Sequence, residues 1–129
     1  MLRCLIVDDS LRFRQAACSL LEREGIAVVG MASTGAEALR LAIEVRPDVT
    51  LVDIDLGGQS GFDVARLLQS EAGLDPSQLI LISTHSGDDY ADLISASPVA
   101  GFLSKTTLCA AGIHDLLRLR NGGDTDGDR

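Results

Sequence analysis

Tryptophan is absent from this chain of 129 residues, tyrosine occurs once and phenylalanine three times, so its core must be aliphatic. Proline occurs only three times. Basic residues are in deficit: 11 Lys and Arg face 19 Asp and Glu, for a net charge of −8 and a pI near 4.5. That balance speaks against a basic face large enough for nucleic acid. No apolar stretch approaches the length that crosses a bilayer. The N-terminus reaches acidic residues by Asp8, which is not the pattern of a signal peptide. Three cysteines, Cys4, Cys18 and Cys109, are widely spaced and form no CxxC or Cys/His cluster. They read as reduced, partly buried thiols of a cytoplasmic protein rather than as a disulfide or metal framework.

What is present is an aliphatic chain, 46% hydrophobic, broken into short runs that end in chemistry. Leu5-Ile6-Val7 runs into Asp8 and Asp9, and Val49-Thr50-Leu51-Val52 runs into Asp53. Leu79-Ile80-Leu81-Ile82 runs into Ser83, and Gly101-Phe102-Leu103-Ser104 runs into Lys105. Short apolar runs alternating with helix-like segments predict parallel strands.

Strands are expected at 3–8, 26–31, 48–53, 79–83 and 100–104. Helices are expected at 10–24, after Ser33-Thr34-Gly35, at 62–72, at 88–96 and at 107–120. Ser10 is the expected N-cap of the first helix, and Thr34 with Glu37 an approximate capping box for the second. Gly25 and Pro47 mark helix ends. The segment 55–61, with three glycines, reads as a loop. Residues 121–129, rich in Gly and Asp, read as a disordered tail after a single domain over 1–120. The order is (βα)5, and right-handed crossovers leave a doubly wound, five-stranded parallel sheet as the simplest solution.

Ligands bind at the carboxyl ends of strands in such sheets. Three carboxylates, a hydroxyl and an ammonium would then share one crevice, a set suited to a divalent cation and a phosphoryl group. Two adjacent acids at a strand end repel each other unless a counter-ion is near. Mg²⁺ uses one or two carboxylates and keeps several waters, so Asp9 and Asp53 are expected as direct ligands and Asp8 as a water-mediated one. Asp53 is the candidate nucleophile, since carboxylates form acyl phosphates. Lys105 offers a point charge, and Ser83 a donor, for phosphoryl oxygens.

These residues resemble the receiver domains of two-component response regulators over about residues 2–120. The spacings match that family's five-residue set: 44 from Asp9 to Asp53, 30 on to Ser83 and 22 on to Lys105. Gly61 matches a loop glycine and Phe102 a switch aromatic. The resemblance implies a flavodoxin-like strand order 2-1-3-4-5 and Mg²⁺ (or Mn²⁺)-dependent phosphorylation of Asp53 by the phosphohistidine of a sensor histidine kinase. It implies that the backbone carbonyl of Asp55 completes the metal site. It also implies that Asp55, Thr84 and His85 flank and tune the phosphoryl group. The protein would be a switch with self-catalysed transfer and hydrolysis, not a classical enzyme. Its output would be a downstream protein contact or a homodimer through helix 1, 4 or 5, without membrane or DNA binding.

Two departures stand out: Gly57 replaces the usual proline of the acceptor loop, and Thr106 rather than proline follows Lys105. The run Gly101–Thr106 looks most like receivers of NarL-type regulators. Asp53-Ile54-Asp55 also resembles, superficially, the DxD motif of haloacid-dehalogenase-type phosphatases, where the second Asp acts as acid/base. That motif ends the first strand there, whereas Asp53 is expected at the end of the third. A receiver-like interaction module that is never phosphorylated is the remaining alternative.

Overall fold

In a computed structural model, which describes residues 1–84, 91–96 and 99–126, the first apolar run becomes strand β1, Arg3–Val7. Helix α1 follows at Leu11–Arg23, β2 at Ala27–Ala32, α2 at Gly35–Val45 and β3 at Val49–Asp53. A small hairpin, β4 at Asp55–Leu56 and β5 at Gln59–Ser60, leads into α3 at Gly61–Glu71. Then come β6 at Leu79–Ser83, a short α4 at Ala91–Ala96, β7 at Gly101–Ser104 and α5 at Ala110–Asp126.

The main sheet is parallel, with strand order β2-β1-β3-β6-β7. Counting only its own strands this is the flavodoxin-like order 2-1-3-4-5. Every residue of β3 and β6 is buried, as befits central strands covered on both faces, which read as continuous apolar runs. Side chains alternate between two cores. Cys4, Ile6, Val49, Leu51, Ile80 and Ile82 pack with Ala17 and Leu21 of α1 and Ile113 of α5. Leu5, Val7, Val52, Leu79 and Leu81 pack on the other face with Ala38 and Ala42 of α2 and Val64 and Leu68 of α3. Each fully buried Leu or Ile contributes about 1.5–3 kcal/mol.

Helix ends follow the local chemistry. Ser10 Oγ accepts from Phe13 N at 3.2 Å. Thr34 Oγ1 accepts from Glu37 N at 3.2 Å. The Glu37 carboxylate, however, reaches one residue further back than a capping box requires, to Ser33 N and Oγ at 2.9 and 2.7 Å. Those hydrogen bonds hold its carboxyl below the usual value. Arg46 ends α2 in the left-handed region (φ 49°), just before Pro47. The guanidinium of Arg3 donates to the carbonyls of Val45 and Arg46 at 2.6 and 2.7 Å, satisfying two groups at that helix end.

Three expectations need correction. The segment 55–61 is not an irregular loop: Asp55 pairs with Ser60 and Leu56 with Gln59 in an antiparallel hairpin. Its turn uses Gly57 at φ +64°, a geometry that a glycine-rich run makes available. Only four helices among the described residues are full length. The described part of the fourth in order is Ala91–Ala96, and positions 88–90 of its expected 88–96 lie outside the described residues. Helix α5 starts at Ala110, after a 3-10 turn at Lys105–Thr107, and its backbone continues to Asp126 rather than ending at 120. Extending a helix already nucleated adds a hydrogen bond per residue and is far easier than starting one.

Candidate functional site

Strand register brings the polar ends together. Val7 is level with Val52, so Asp8 lies beside Asp53. Asp53 is level with Ile82, so Ser83 stands one residue higher. Ser83 is level with Ser104, so Lys105 stands one residue higher again. Each step lifts the chain by about 3.3 Å, and the long Lys105 side chain reaches back down to the carboxylates.

Carboxylate oxygens of Asp8, Asp9 and Asp53 all lie within 4.8 Å of one another. Asp8 and Asp53 are buried and Asp9 is exposed. Lys105 Nζ donates to Asp53 Oδ2 at 3.1 Å and forms an ion pair with Asp8 Oδ2. The Asp8 oxygen faces the ammonium without an aligned hydrogen bond. Asp8 Oδ1 accepts from Ser10 N at 2.8 Å, and Arg14 Nη1 donates to the Asp8 carbonyl at 2.6 Å. Asp53 Oδ1 accepts from Asp55 N at 3.2 Å.

Burial pushes the Asp53 carboxyl up to about 6, and the Asp8 charge adds to this against the opposing hydrogen bonds from Lys105 and Asp55. Burial works against the Lys105 ammonium, but its close contacts with the Asp8 and Asp53 carboxylates outweigh that and hold it above its ordinary value. With all three carboxylates ionised, a single ammonium leaves two negative charges uncompensated. A small hard dication matches that charge and the all-oxygen donor set. Asp9, on the open side, leaves room for water. The residues present therefore fit a divalent metal.

The other expected residues sit as follows. Ser83 is buried at the end of β6, and Thr84 just after it is exposed. His85 lies outside the described residues. Phe102 on β7 is partly buried against the core on the α2–α3 face, level with Leu81. Asp55 is exposed on β4, and its hydrogen bond to Asp53 comes from its backbone N–H. The acid/base carboxylate that a phosphatase reading requires at that position is thus represented at Asp53 only by backbone.

Gly61 is the first residue of α3, and a Cβ there would lie 2.1 Å from the Asp53 carbonyl oxygen. Only glycine lets the helix start so close to the acceptor strand. Gly57 faces the acids from the other side: a Cβ there would lie 3.3 Å from Asp9 Oδ2. Cys4 is buried and its thiol is pushed up to about 12, chiefly by burial. All three cysteines are free.

One site residue was not expected as such. Phe13, in the first turn of α1, places its ring 4.5 Å from Lys105 Nζ.

Comparisons with known proteins agree with this geometry. The model of the response regulator receiver domain matches residues 4–116. The transcriptional regulatory protein LiaR of Bacillus subtilis is 34% identical over 125 residues, covering 96% of this chain and 58% of LiaR. The chain spans a little over half the length of the first curated relatives it matches. Among solved structures, the signal receiver domain of NarL from Mycobacterium tuberculosis superposes with a TM-score of 0.72 at 30% identity, covering 99% of this chain and 98% of that one. The chemotaxis protein CheY4 of Vibrio cholerae gives 0.74 at 28% identity, covering 92% and 98%. No helix among the described residues is long and apolar enough to cross a membrane. With a parallel sheet in flavodoxin-like order, an acidic cluster at its carboxyl edge and a family match over most of its length, the chain belongs to the response regulator receiver family.

Proposed function

We propose that Asp53 is the phosphoacceptor of this receiver and that its phosphorylation switches a protein contact. The observation that carries this reading is the placement of three carboxylates within 4.8 Å of one another, with Lys105 bonded to the central one. An Asp53 carboxylate oxygen attacks the phosphorus of a sensor kinase's phosphohistidine. The O–P bond forms as the P–N bond breaks, and the imidazole leaves and takes up a proton. Lys105 exchanges its bond to the Asp53 carboxylate for one to a phosphoryl oxygen, and Ser83 donates to another. Asp9 and Asp53 would hold Mg²⁺ (or Mn²⁺), with Asp8 acting through water and Asp55 through its carbonyl. The metal supplies positive charge that lowers repulsion between carboxylate and phosphoryl group. Hydrolysis of the acyl phosphate is self-catalysed, tuned by Asp55, Thr84 and His85.

Ser83 drawn toward the phosphoryl group, with Phe102 moving inward, is the two-state element that carries the signal. The output is a cytoplasmic protein partner or a homodimer through α1, α4 or α5. The net charge of −8 disfavours DNA. The receiver unit is residues 1–120. Within the family, the resemblance of the run Gly101–Thr106 to NarL-type receivers favours that subgroup.

Incubation with acetyl phosphate and Mg²⁺ tests the assignment. A mass gain of one phosphoryl group mapped to Asp53, and lost in Asp53→Ala, is expected. Labelling that persists on another residue in Asp53→Ala would sink it. Absence of any labelling would favour the unphosphorylated interaction module.

A further inference from the structure

Four contacts close a circuit around the site. Asp8 Oδ1 accepts from Ser10 N at 2.8 Å. Ser10 Oγ accepts from Phe13 N at 3.2 Å. The Phe13 ring lies 4.5 Å from Lys105 Nζ. Lys105 returns to Asp8 Oδ2 as an ion pair. The N-cap that starts α1 thus fixes both the orientation of Asp8 and the backbone from which the aromatic ring projects. Phe13 also packs against the core on the α1–α5 face, which restricts its ring.

The Lys105 side chain is only 12% exposed. A cation so far removed from water gains more from an aromatic face than one at the surface does. The ring differs in kind from the two carboxylates. Those bind the ammonium through directed contacts from the acid side. The ring attracts it without a fixed donor direction and competes for none of its protons.

We propose that Phe13 is a positioning residue for Lys105. Its face holds the ammonium at the mouth of the site while the hydrogen-bond partner changes from the Asp53 carboxylate to a phosphoryl oxygen. A flat aromatic face tolerates the small translation that this exchange needs, whereas a third carboxylate would pin the ammonium. The role of Lys105 in phosphoryl transfer rests on the function proposed above; the clamp itself does not.

Two measurements separate them. In the metal-free protein, lysine-labelled NMR should show the Lys105 ε-methylene protons shifted upfield by the Phe13 ring current. The shift should vanish in Phe13→Leu and return in Phe13→Tyr. Lys105 protons at ordinary positions in the wild type would overturn the clamp. In the second measurement, the rate of labelling by acetyl phosphate with Mg²⁺ should fall about five- to thirtyfold in Phe13→Leu and recover in Phe13→Tyr. Its half-saturating acetyl phosphate concentration should change little. Wild-type rates in Phe13→Leu, with Asp53 labelled normally, would refute the positioning role while leaving the phosphoacceptor intact. Failure of the wild type to label Asp53 would refute the underlying function instead. A Phe13→Leu variant that does not fold shifts the comparison to Ser10→Ala, which leaves the core untouched. Ser10→Ala should weaken the ring-current shift, and an unchanged shift would argue against the circuit.

Discussion

Asp53→Asn should stabilise the metal-free protein at neutral pH, and the gain should vanish in acid. Asp53 is 4% exposed and its carboxyl is pushed up to about 6, by burial first and by the Asp8 charge as well. The folded state therefore binds a proton more tightly than the unfolded chain, whose carboxyl titrates near 3.8. Below about pH 4 both states hold the proton and Asp53 contributes nothing to pH dependence. As pH rises from about 4 to 6 the unfolded chain ionises first, and folding stability is lost. The difference corresponds to an upper bound of roughly 3 kcal/mol. Residual structure in the unfolded chain trims this, so a gain of about 1–3 kcal/mol is expected for Asp53→Asn at pH 7.5. Lys105 keeps its Asp8 partner in the variant, so no buried ammonium is stranded.

Urea denaturation followed by far-ultraviolet circular dichroism is the appropriate assay, because the chain has no tryptophan to report. Midpoints should separate by roughly 1 M urea at pH 7.5 and converge near pH 4. Mg²⁺ at ten times its dissociation constant should add about 1.4 kcal/mol to the wild type and narrow the gap. Equal stability of the two proteins at pH 7.5, or a gap that widens on acidification, would refute the reasoning.

Thr50 is buried in β3 and its hydroxyl has no hydrogen-bond partner among the described residues; Thr50→Val should raise stability by about 1 kcal/mol, read as a melting temperature a few degrees higher. Gly61→Ala drives a Cβ into the Asp53 carbonyl; a loss of at least ~3 kcal/mol or a displaced α3, visible by denaturation and NMR, is expected. Arg3→Met removes two hydrogen bonds to the end of α2; a loss of about 1–2 kcal/mol by urea melt is expected, with no change in labelling at Asp53.

Much of the fold was legible because the sheet is parallel and central. Strands buried on both faces need continuous apolar runs, and before their terminal Asp53 and Ser83 β3 and β6 are apolar at every position but Thr50. The polar residue that breaks such a run therefore marks the sheet edge, which is how Asp8, Asp9, Asp53, Ser83 and Lys105 could be read together. Features set by approach between elements were not legible. Phe13 looked like any apolar residue on a helix, and its contact with Lys105 joins residues more than ninety positions apart. The Arg3 guanidinium at the end of α2 joins residues more than forty positions apart.

The glycine that replaces the family's proline shows how a departure in sequence can be a statement about backbone. Gly57 stands at φ +64° between the paired strands β4 and β5. Proline is confined to φ near −65° and could not occupy that turn. A residue with a side chain would be strained there, and its Cβ would press on Asp9 Oδ2 at 3.3 Å. The hairpin is further tied to α2, because Gln59 Oε1 accepts from Gly35 N at 3.0 Å. The tight turn thus brings bare backbone against the exposed metal-side carboxylate, and the Gln59 clasp anchors it to a neighbouring helix. Restoring proline by Gly57→Pro would not return the chain to the family's form. It would break the turn, release Gln59 from Gly35 and free the approach to Asp9. Loss of the Gly35 amide shift that marks the Gln59 hydrogen bond, with Mg²⁺ affinity altered several-fold, is the expected NMR outcome. An unchanged Gly35 resonance in Gly57→Pro would show that the positive φ is dispensable and that the departure carries no structural meaning.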